Sequence, residues 1–293
     1  LNIVLQAKSL FSKLLRLNPR IFRGVHFTRR FFKQLAVIRR FDRHLPYQGE
    51  IGESFGFHEL SLSKESIPKI RSLYQENLKS SNNLTIDSSK FEVFNELFEQ
   101  LSKPILDYLG PEAKIDGVNF FIRSNKDSVT PKGFSTYWHT DNVGARLKVF
   151  VCFEGDGSNP TIISPPQKRP PSINYQIYSY FIELLRWLNF ANRFRLSNEI
   201  YLAHRTGSIF LLDTQVLHRG SWENSISTRH LLQFEFSNPK KHDLMQGVLE
   251  GPIGTKEYNT FKFHECLLKS SCFSNFLDKK RVKRIGEYLE YKS

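Results

Sequence analysis

The chain has 293 residues, 40% of them apolar and 14% aromatic, and a formal net charge of +13. That is enough apolar material for one large domain with decoration, which excludes a globally disordered chain; three cysteines without paired spacing exclude a disulfide framework or a zinc knuckle and point to a reducing compartment. No run reaches the roughly 18 uncharged apolar residues of a spanning helix, since even residues 175–194 carry Glu183, Arg186 and Arg193, so the expected location is cytoplasmic, with peripheral membrane contact as the open alternative.

The charge is gathered at one end. Residues 1–44 hold eleven basic side chains against the single acid Asp42, a balance of +10, which leaves +3 for the rest of the chain. Within this arm Ile3, Ala7, Leu10, Leu14 and Leu17 fall at helical spacing, Pro19 ends that helix, and residues 21–41 continue basic and aromatic. Such a segment fits a solvated helix on the domain, an anionic membrane surface or lipid, or nucleic acid. Interleaved Phe and Leu favour a surface with an apolar layer over nucleic acid. A basic, acid-poor organellar presequence has the same composition.

Beyond a Gly-rich turn region (Gly49, Gly52, Gly56), residues 63–79 and 89–109 read as amphipathic helices. Ser89 with Glu92 fits a capping box, and Gly110-Pro111 is a stop. From residue 117 the pattern turns to short β-type runs at 117–123, 147–153, 208–212 and 229–236. Between the second and third of these, Ser164-Pro165-Pro166 and Pro170-Pro171 bracket a rigid loop, and residues 173–195 read as an inserted amphipathic helix. The division that follows is a basic amphipathic arm (1–44) and a domain (45–293) with a β-core at about 115–240, a helical insert at about 164–205 and a C-terminal helical segment at about 260–293, where Cys266 and Cys272 lie. The expected fold class is mainly β with flanking helices.

His139-Thr140-Asp141 is an HxD triplet, which chance alone supplies at roughly 0.3 per chain of this composition. Its setting raises the signal. The triplet sits just before the run 147–153, so period-2 geometry extended back aims His139 and Asp141 the same way. In Gly207 to Gly220 a strand, a polar turn and His218 follow one another, which returns His218 beside the pair. Two imidazoles and one carboxylate on a triangular face leave three coordination positions open, as suits Fe(II) with a chelating co-substrate and O₂; a structural zinc site is closed by four ligands.

Arg229 lies eleven residues after His218. Alternation puts Arg229, Leu231, Gln233 and Glu235 on one strand face and His230, Leu232, Phe234 and Phe236 on the other, and the first is polar enough to line a cavity. A guanidinium fork there matches the far carboxylate of a dicarboxylic keto acid. His204, His230, His242 and His264 are read as surface or satisfied core residues, and Cys152 as a small buried hydrophobe.

Trp138-His139-Thr140-Asp141, His218-Arg219-Gly220 and Arg229 together resemble the Fe(II)/2-oxoglutarate dioxygenases, most closely the phytanoyl-CoA dioxygenase-like branch, over residues 115–240. The resemblance implies a double-stranded β-helix (jelly roll), iron held by His139, Asp141 and His218, and 2-oxoglutarate gripped by Arg229. Because Asp141 is present where family halogenases carry a small residue, it implies hydroxylation of a C–H bond with release of succinate and CO₂. The family's polar contact to the other end of the keto acid falls on Asn119 or Arg123 of the strand before the triplet. The basic arm and the insert have no counterpart in the family, and their shared basic, amphipathic character points to an amphiphilic anionic substrate at or near a membrane surface. Two further readings are a catalytically silent jelly-roll binding protein at a membrane, and a metal enzyme without 2-oxoglutarate, such as a cupin-like isomerase, in which Arg229 has no purpose.

Overall fold

The computed structural model describes residues 19–40, 42–79, 92–124, 136–141, 144–167, 171–188, 190, 194–221, 228–238 and 276. The helical readings for residues 1–17 and 260–293, and the Ser89 cap, lie outside these.

Five helices and eight strands are present among the described residues. Helix α1 (Pro19–Arg40) starts on a proline, whose missing N–H costs nothing in a first turn. After a 3₁₀ turn (Asp42–His44) come α2 (Gly49–Glu53) and strand β1 (Phe57–Ser61), both inside the stretch read as turns. Helices α3 (Ser66–Lys79) and α4 (Glu92–Leu109) follow. Helix α4 ends on Gly110, whose φ of +84° places it in the left-handed region while its N–H caps the Leu106 carbonyl.

The remaining strands are β2 (Lys114–Ser124), β3 (Arg146–Glu154), β4 (Thr161–Ser164), β5 (Ile200–Leu202), β6 (Ser208–Asp213), β7 (Leu217–Gly220) and β8 (Thr228–Ser237). Helix α5 (Ile173–Trp187) interrupts them, capped by the Ser172 hydroxyl accepting from the Tyr175 N–H. All the pairings are antiparallel and form two sheets, β1-β6-β3-β8-β2 and β5-β4-β7.

Strand alternation sorts side chains into layers. Val149, Val151 and Phe153 of β3 and Leu232, Phe234 and Phe236 of β8 face α3 and α4, joining Ile70, Leu73, Phe94, Phe98, Leu101 and Ile105 in the main core. Phe98 meets Phe234 edge-on at 5.2 Å, the arrangement the ring quadrupoles favour. The opposite faces of the same strands contribute Phe150, Cys152 and Leu231, which pack between the sheets with Phe210 and Leu212 of β6, Val216, Ile163 of β4 and Leu202 of β5. Behind the small sheet, Ile162 and Leu217 pack with Trp138, Tyr175 and Ile182 beneath α5. Since β4 pairs Ile163 with His218, this register fixes which residues look into the space between the sheets.

Candidate metal centre

His139 and His218 form an isolated antiparallel bridge in which each N–H donates to the other's carbonyl, at 3.0 and 2.9 Å. The Asp141 N–H donates to the Thr214 carbonyl at 3.0 Å, and the Thr214 N–H to the Arg146 carbonyl at 2.8 Å, which ties the triplet to the turn between β6 and β7. Residues adjacent to the histidines point the other way. Trp138 is fully buried, its indole N–H donates to the Phe194 carbonyl at 2.7 Å, and the Arg219 guanidinium lies 4.9 Å from its ring. With those outward anchors held, both imidazoles are committed to the inner face.

Asp42, the one acid of the basic arm, is 1% exposed and braces both ligand segments. Its carboxylate accepts from the Ala145 N–H (2.8 Å) and from Gln215 Nε2 (2.6 Å). Between Asp141 and Ala145, Gly144 has φ +78°, and a Cβ there would lie 2.8 Å from Val37 Cγ1. The approach of α1 therefore requires a glycine at that position.

The ligand atoms of His139, Asp141 and His218 all lie within 4.8 Å of one another. His139 Nε2 is 3.5 Å from Asp141 Oδ1 and His218 Nε2 is 3.2 Å from Oδ2. Each imidazole uses Nδ1 to reach the carbonyl two residues earlier, Tyr137 at 2.7 Å and Val216 at 2.8 Å. A carbonyl can only accept, so Nδ1 carries the proton and the Nε2 lone pair is turned inward. That is the orientation by which outer hydrogen bonds prepare imidazoles for a metal. Burial, reinforced by the neighbouring His218, pushes the His139 pKa down to about 4, so it is neutral at physiological pH. Burial alone would raise Asp141, but the Lys148 ammonium and the two histidines hold it well below the usual carboxylate range. A neutral His139 imidazole, the inward-facing His218 imidazole and the Asp141 carboxylate together form a donor set that suits a divalent cation.

Lys148 was not legible as a site residue. It hydrogen-bonds to Asp141 Oδ2 from β3, where the only hint is a lysine alternating with Phe150 and Cys152 in an apolar run. Its neighbour across the ladder is Glu235, itself held by Arg146 at 2.9 Å and Gln233 at 2.6 Å. The roof was also missed. Thr140 donates to Glu183 of α5 (2.7 Å), and Arg30 of α1 donates to the Asp141 carbonyl (2.8 Å) while facing Glu183 at 3.6 Å. Desolvation lowers the Arg186 pKa, and its charge is within electrostatic range of Glu183 and Asp141.

Arg229 is buried on β8, and its Nη1 donates to the Asn159 carbonyl (2.8 Å) and to Thr161 Oγ1 (3.2 Å). It therefore sits apart from the three ligands. Its partner Thr161 and Ile163, the register partner of His218, lie two residues apart on one face of β4, a rise of about 6.6 Å along that strand. Asn119 and Arg123 pair through their backbones with Gln233 and Arg229; their side chains lie outside the described residues. His204, fully buried, is spoken for by Thr161 Oγ1 at 2.9 Å, and burial and then Arg229 hold its pKa well below the ordinary histidine value. His230 lies against Tyr74 and Phe153 on the opposite face of β8. Burial raises the Cys152 thiol to about 11, so it is no nucleophile.

No family model matches the chain, and no curated protein matches it. Solved structures do. HygX from Streptomyces hygroscopicus, with nickel and 2-oxoglutarate bound, is 14% identical over 64% of this chain and 84% of its own, with a TM-score of 0.45. The nickel complex of ThoJ, a non-haem monooxygenase, is 12% identical over 65% and 78%, at 0.43. SnoK, a non-haem α-ketoglutarate-dependent carbocyclase from nogalamycin biosynthesis, is 12% identical over 64% and 84%, also at 0.43. Of these three, one was solved with 2-oxoglutarate bound and another is α-ketoglutarate-dependent. At these identities and scores no residue role transfers, so the roles below rest on the residues of this chain. No described helix is long and apolar enough to cross a membrane.

Proposed function

We propose that the chain is an Fe(II)/2-oxoglutarate-dependent oxygenase, built on a jelly roll of the phytanoyl-CoA dioxygenase-like kind, that hydroxylates a C–H bond of an amphiphilic anionic substrate. The observation that carries this reading is the pair of imidazoles whose Nδ1 protons are engaged by Tyr137 and Val216, leaving two Nε2 lone pairs and one carboxylate converging from three sides. Three ligands suit a metal that must keep positions open for co-substrate and O₂.

His139, Asp141 and His218 would hold the metal. Bound there, Fe(II) with 2-oxoglutarate and O₂ supplies the oxidation, in which the keto acid leaves as succinate and CO₂ and one oxygen atom enters the substrate C–H bond. Lys148 hydrogen-bonds to Asp141 Oδ2 and places a cation beside the three ligands, where a dianionic co-substrate would arrive. Arg229 is fixed by Asn159 and by Thr161, which lies two residues along β4 from the partner of His218, and its guanidinium would take the far carboxylate of a short dicarboxylic acid. Asn119 and Arg123 remain proposed contacts on β2. Phe150, Ile163 and Leu231 exclude water between the two ends of this space. The Glu183–Thr140 and Arg30–Asp141 contacts clamp the ligand loop from the side the substrate would approach.

The test is turnover of 2-oxoglutarate to succinate by the iron-loaded chain without added substrate, beside its His139→Ala and Asp141→Ala variants. Succinate formation that is lost in both variants supports the reading. Equal succinate formation by all three proteins, or none from the wild type, overturns it.

A further inference from the structure

Helix α5 packs Tyr175 and Ile182 against the small sheet, yet its most deeply buried side chains among the described residues are polar. Its buried stripe, Gln176, Ser179 and Glu183, is polar, while Ile173, Ile177, Tyr178 and Phe181 are exposed, Phe181 by 59%. Single exposed apolar residues are ordinary, but a contiguous run beside buried polar groups is informative. The inner side has its cause: Glu183 accepts from Thr140, and Gln176 accepts from Gln34 of α1 at 3.1 Å. Nothing among the described residues covers the outer side.

Helix α1 lies antiparallel beside it, with Gly24 next to Leu188, Arg30 next to Glu183 and Gln34 next to Gln176. Its outward stripe is Val25, Arg29, Phe32 and Ala36 at helical spacing, with Phe32 63% exposed. Gly24, Thr28 and Lys33 complete a groove along it of about 840 Å³. The rings of Phe32, Phe31, Tyr180 and Phe181 touch in sequence, at 5.8, 4.5 and 5.4 Å, joining the outward faces of the two helices into one surface. Residues 19–40 carry seven basic side chains and no acid.

We infer that the α1–α5 face docks flat on an anionic lipid bilayer. Aromatic tips enter the headgroup boundary while Arg29, Lys33, Arg39 and Arg40 meet lipid phosphates and carboxylates. Charge complementarity selects this occupant: a second copy would bring one acid-free cationic helix against another, whereas anionic headgroups neutralise it. Because the same two helices roof the His139, Asp141 and His218 cluster, docking places the cluster directly behind the membrane-facing layer. The docking does not depend on the metal chemistry. That the oxidised substrate is drawn from the bilayer rests on the oxygenase reading above.

The full chain, loaded with iron, is floated with vesicles of phosphatidylcholine alone and of phosphatidylcholine mixed with phosphatidylserine, beside the double variant Phe32→Ser, Phe181→Ser. Binding is expected only to the mixed vesicles, weakening as salt screens the surface charge, and dropping at least about tenfold in the double variant, since each Phe loses its apolar transfer. Both proteins should retain iron and uncoupled succinate formation. Absence of binding to the mixed vesicles at low salt, or wild-type binding by the double variant, overturns the docking. So does a dimer in sedimentation velocity that the double variant abolishes, which would make a second copy the occupant. Vesicle binding by a chain that retains no iron would leave the docking standing and remove the oxygenase reading.

Discussion

Replacing Arg229 separates co-substrate recognition from metal binding. Its Nη1 is committed to Asn159 and Thr161, which fixes the plane of the guanidinium. Lysine keeps the charge but cannot hold those anchors and grip a carboxylate with two parallel donors. A hydrogen bond to a charged group is worth about 1.5–3 kcal/mol, and each 1.4 kcal/mol is about tenfold in affinity. Arg229→Lys should therefore raise the 2-oxoglutarate concentration for half-maximal succinate formation by about tenfold, and Arg229→Met by about tenfold to a hundredfold, while iron content stays that of the wild type. The assay is uncoupled turnover against 2-oxoglutarate concentration, with iron content and a thermal melt on each variant to show that the site and fold persist. Wild-type half-saturation in both folded variants would refute the placement of the co-substrate between His218 and Arg229.

Single alanine replacements of His139, Asp141 and His218 should each abolish iron retention with the circular dichroism spectrum unchanged; wild-type iron content in all three would remove the site. Lys148→Met takes a cation away from Asp141, so iron should bind at least as tightly while the 2-oxoglutarate requirement rises severalfold; a weaker iron affinity would give Lys148 a different role. Metal-free protein should lose stability as pH falls. His139 titrates near 6.5 when unfolded but at about 4 when folded, so the unfolded chain takes up the proton first, and at about 1.4 kcal/mol per pH unit the loss reaches about 3 kcal/mol between pH 6.5 and 4. His204, lowered in the same direction, adds to it. Urea midpoints that stay flat from pH 7 to pH 4.5 would show that neither histidine is held neutral.

The long alternating strands were legible because nine or ten residues give several turns of the period. β3 and β8 read as strands, and the two faces of β8 divide as its alternation predicts, Leu232, Phe234 and Phe236 toward the main core and Leu231 toward the inner one. β4 and β5 have only four and three residues, too few alternations to separate from loop, and Thr161–Ser164 lies between two prolines. β1 was hidden in a stretch whose glycines read as turns, and is a strand because Phe57 to Ser61 find β6 as a partner. Tertiary pairing decides such segments, not their own propensity. In the ligand cluster, the residues with a spacing signature are legible: the HxD triplet and His218. Lys148, Arg30, Glu183 and Asp42 act through contacts that span up to 173 positions of sequence, as Asp42 does with Gln215, and carry no local pattern. Three of them still left a trace as the residue at odds with its surroundings: a lysine in an apolar strand, an acid in an apolar helix, the lone acid in a basic arm; Arg30, one basic residue among seven in its helix, left none.

The most direct test of the central claim is an anaerobic titration of the metal-free chain with Fe(II), with and without 2-oxoglutarate, followed in the visible range. Saturation at one Fe(II) per chain is expected, with a weak charge-transfer band that appears only when 2-oxoglutarate is present, and loss of both in Asp141→Ala. Failure to bind iron, or iron binding with no band at saturating 2-oxoglutarate, would contradict the claim.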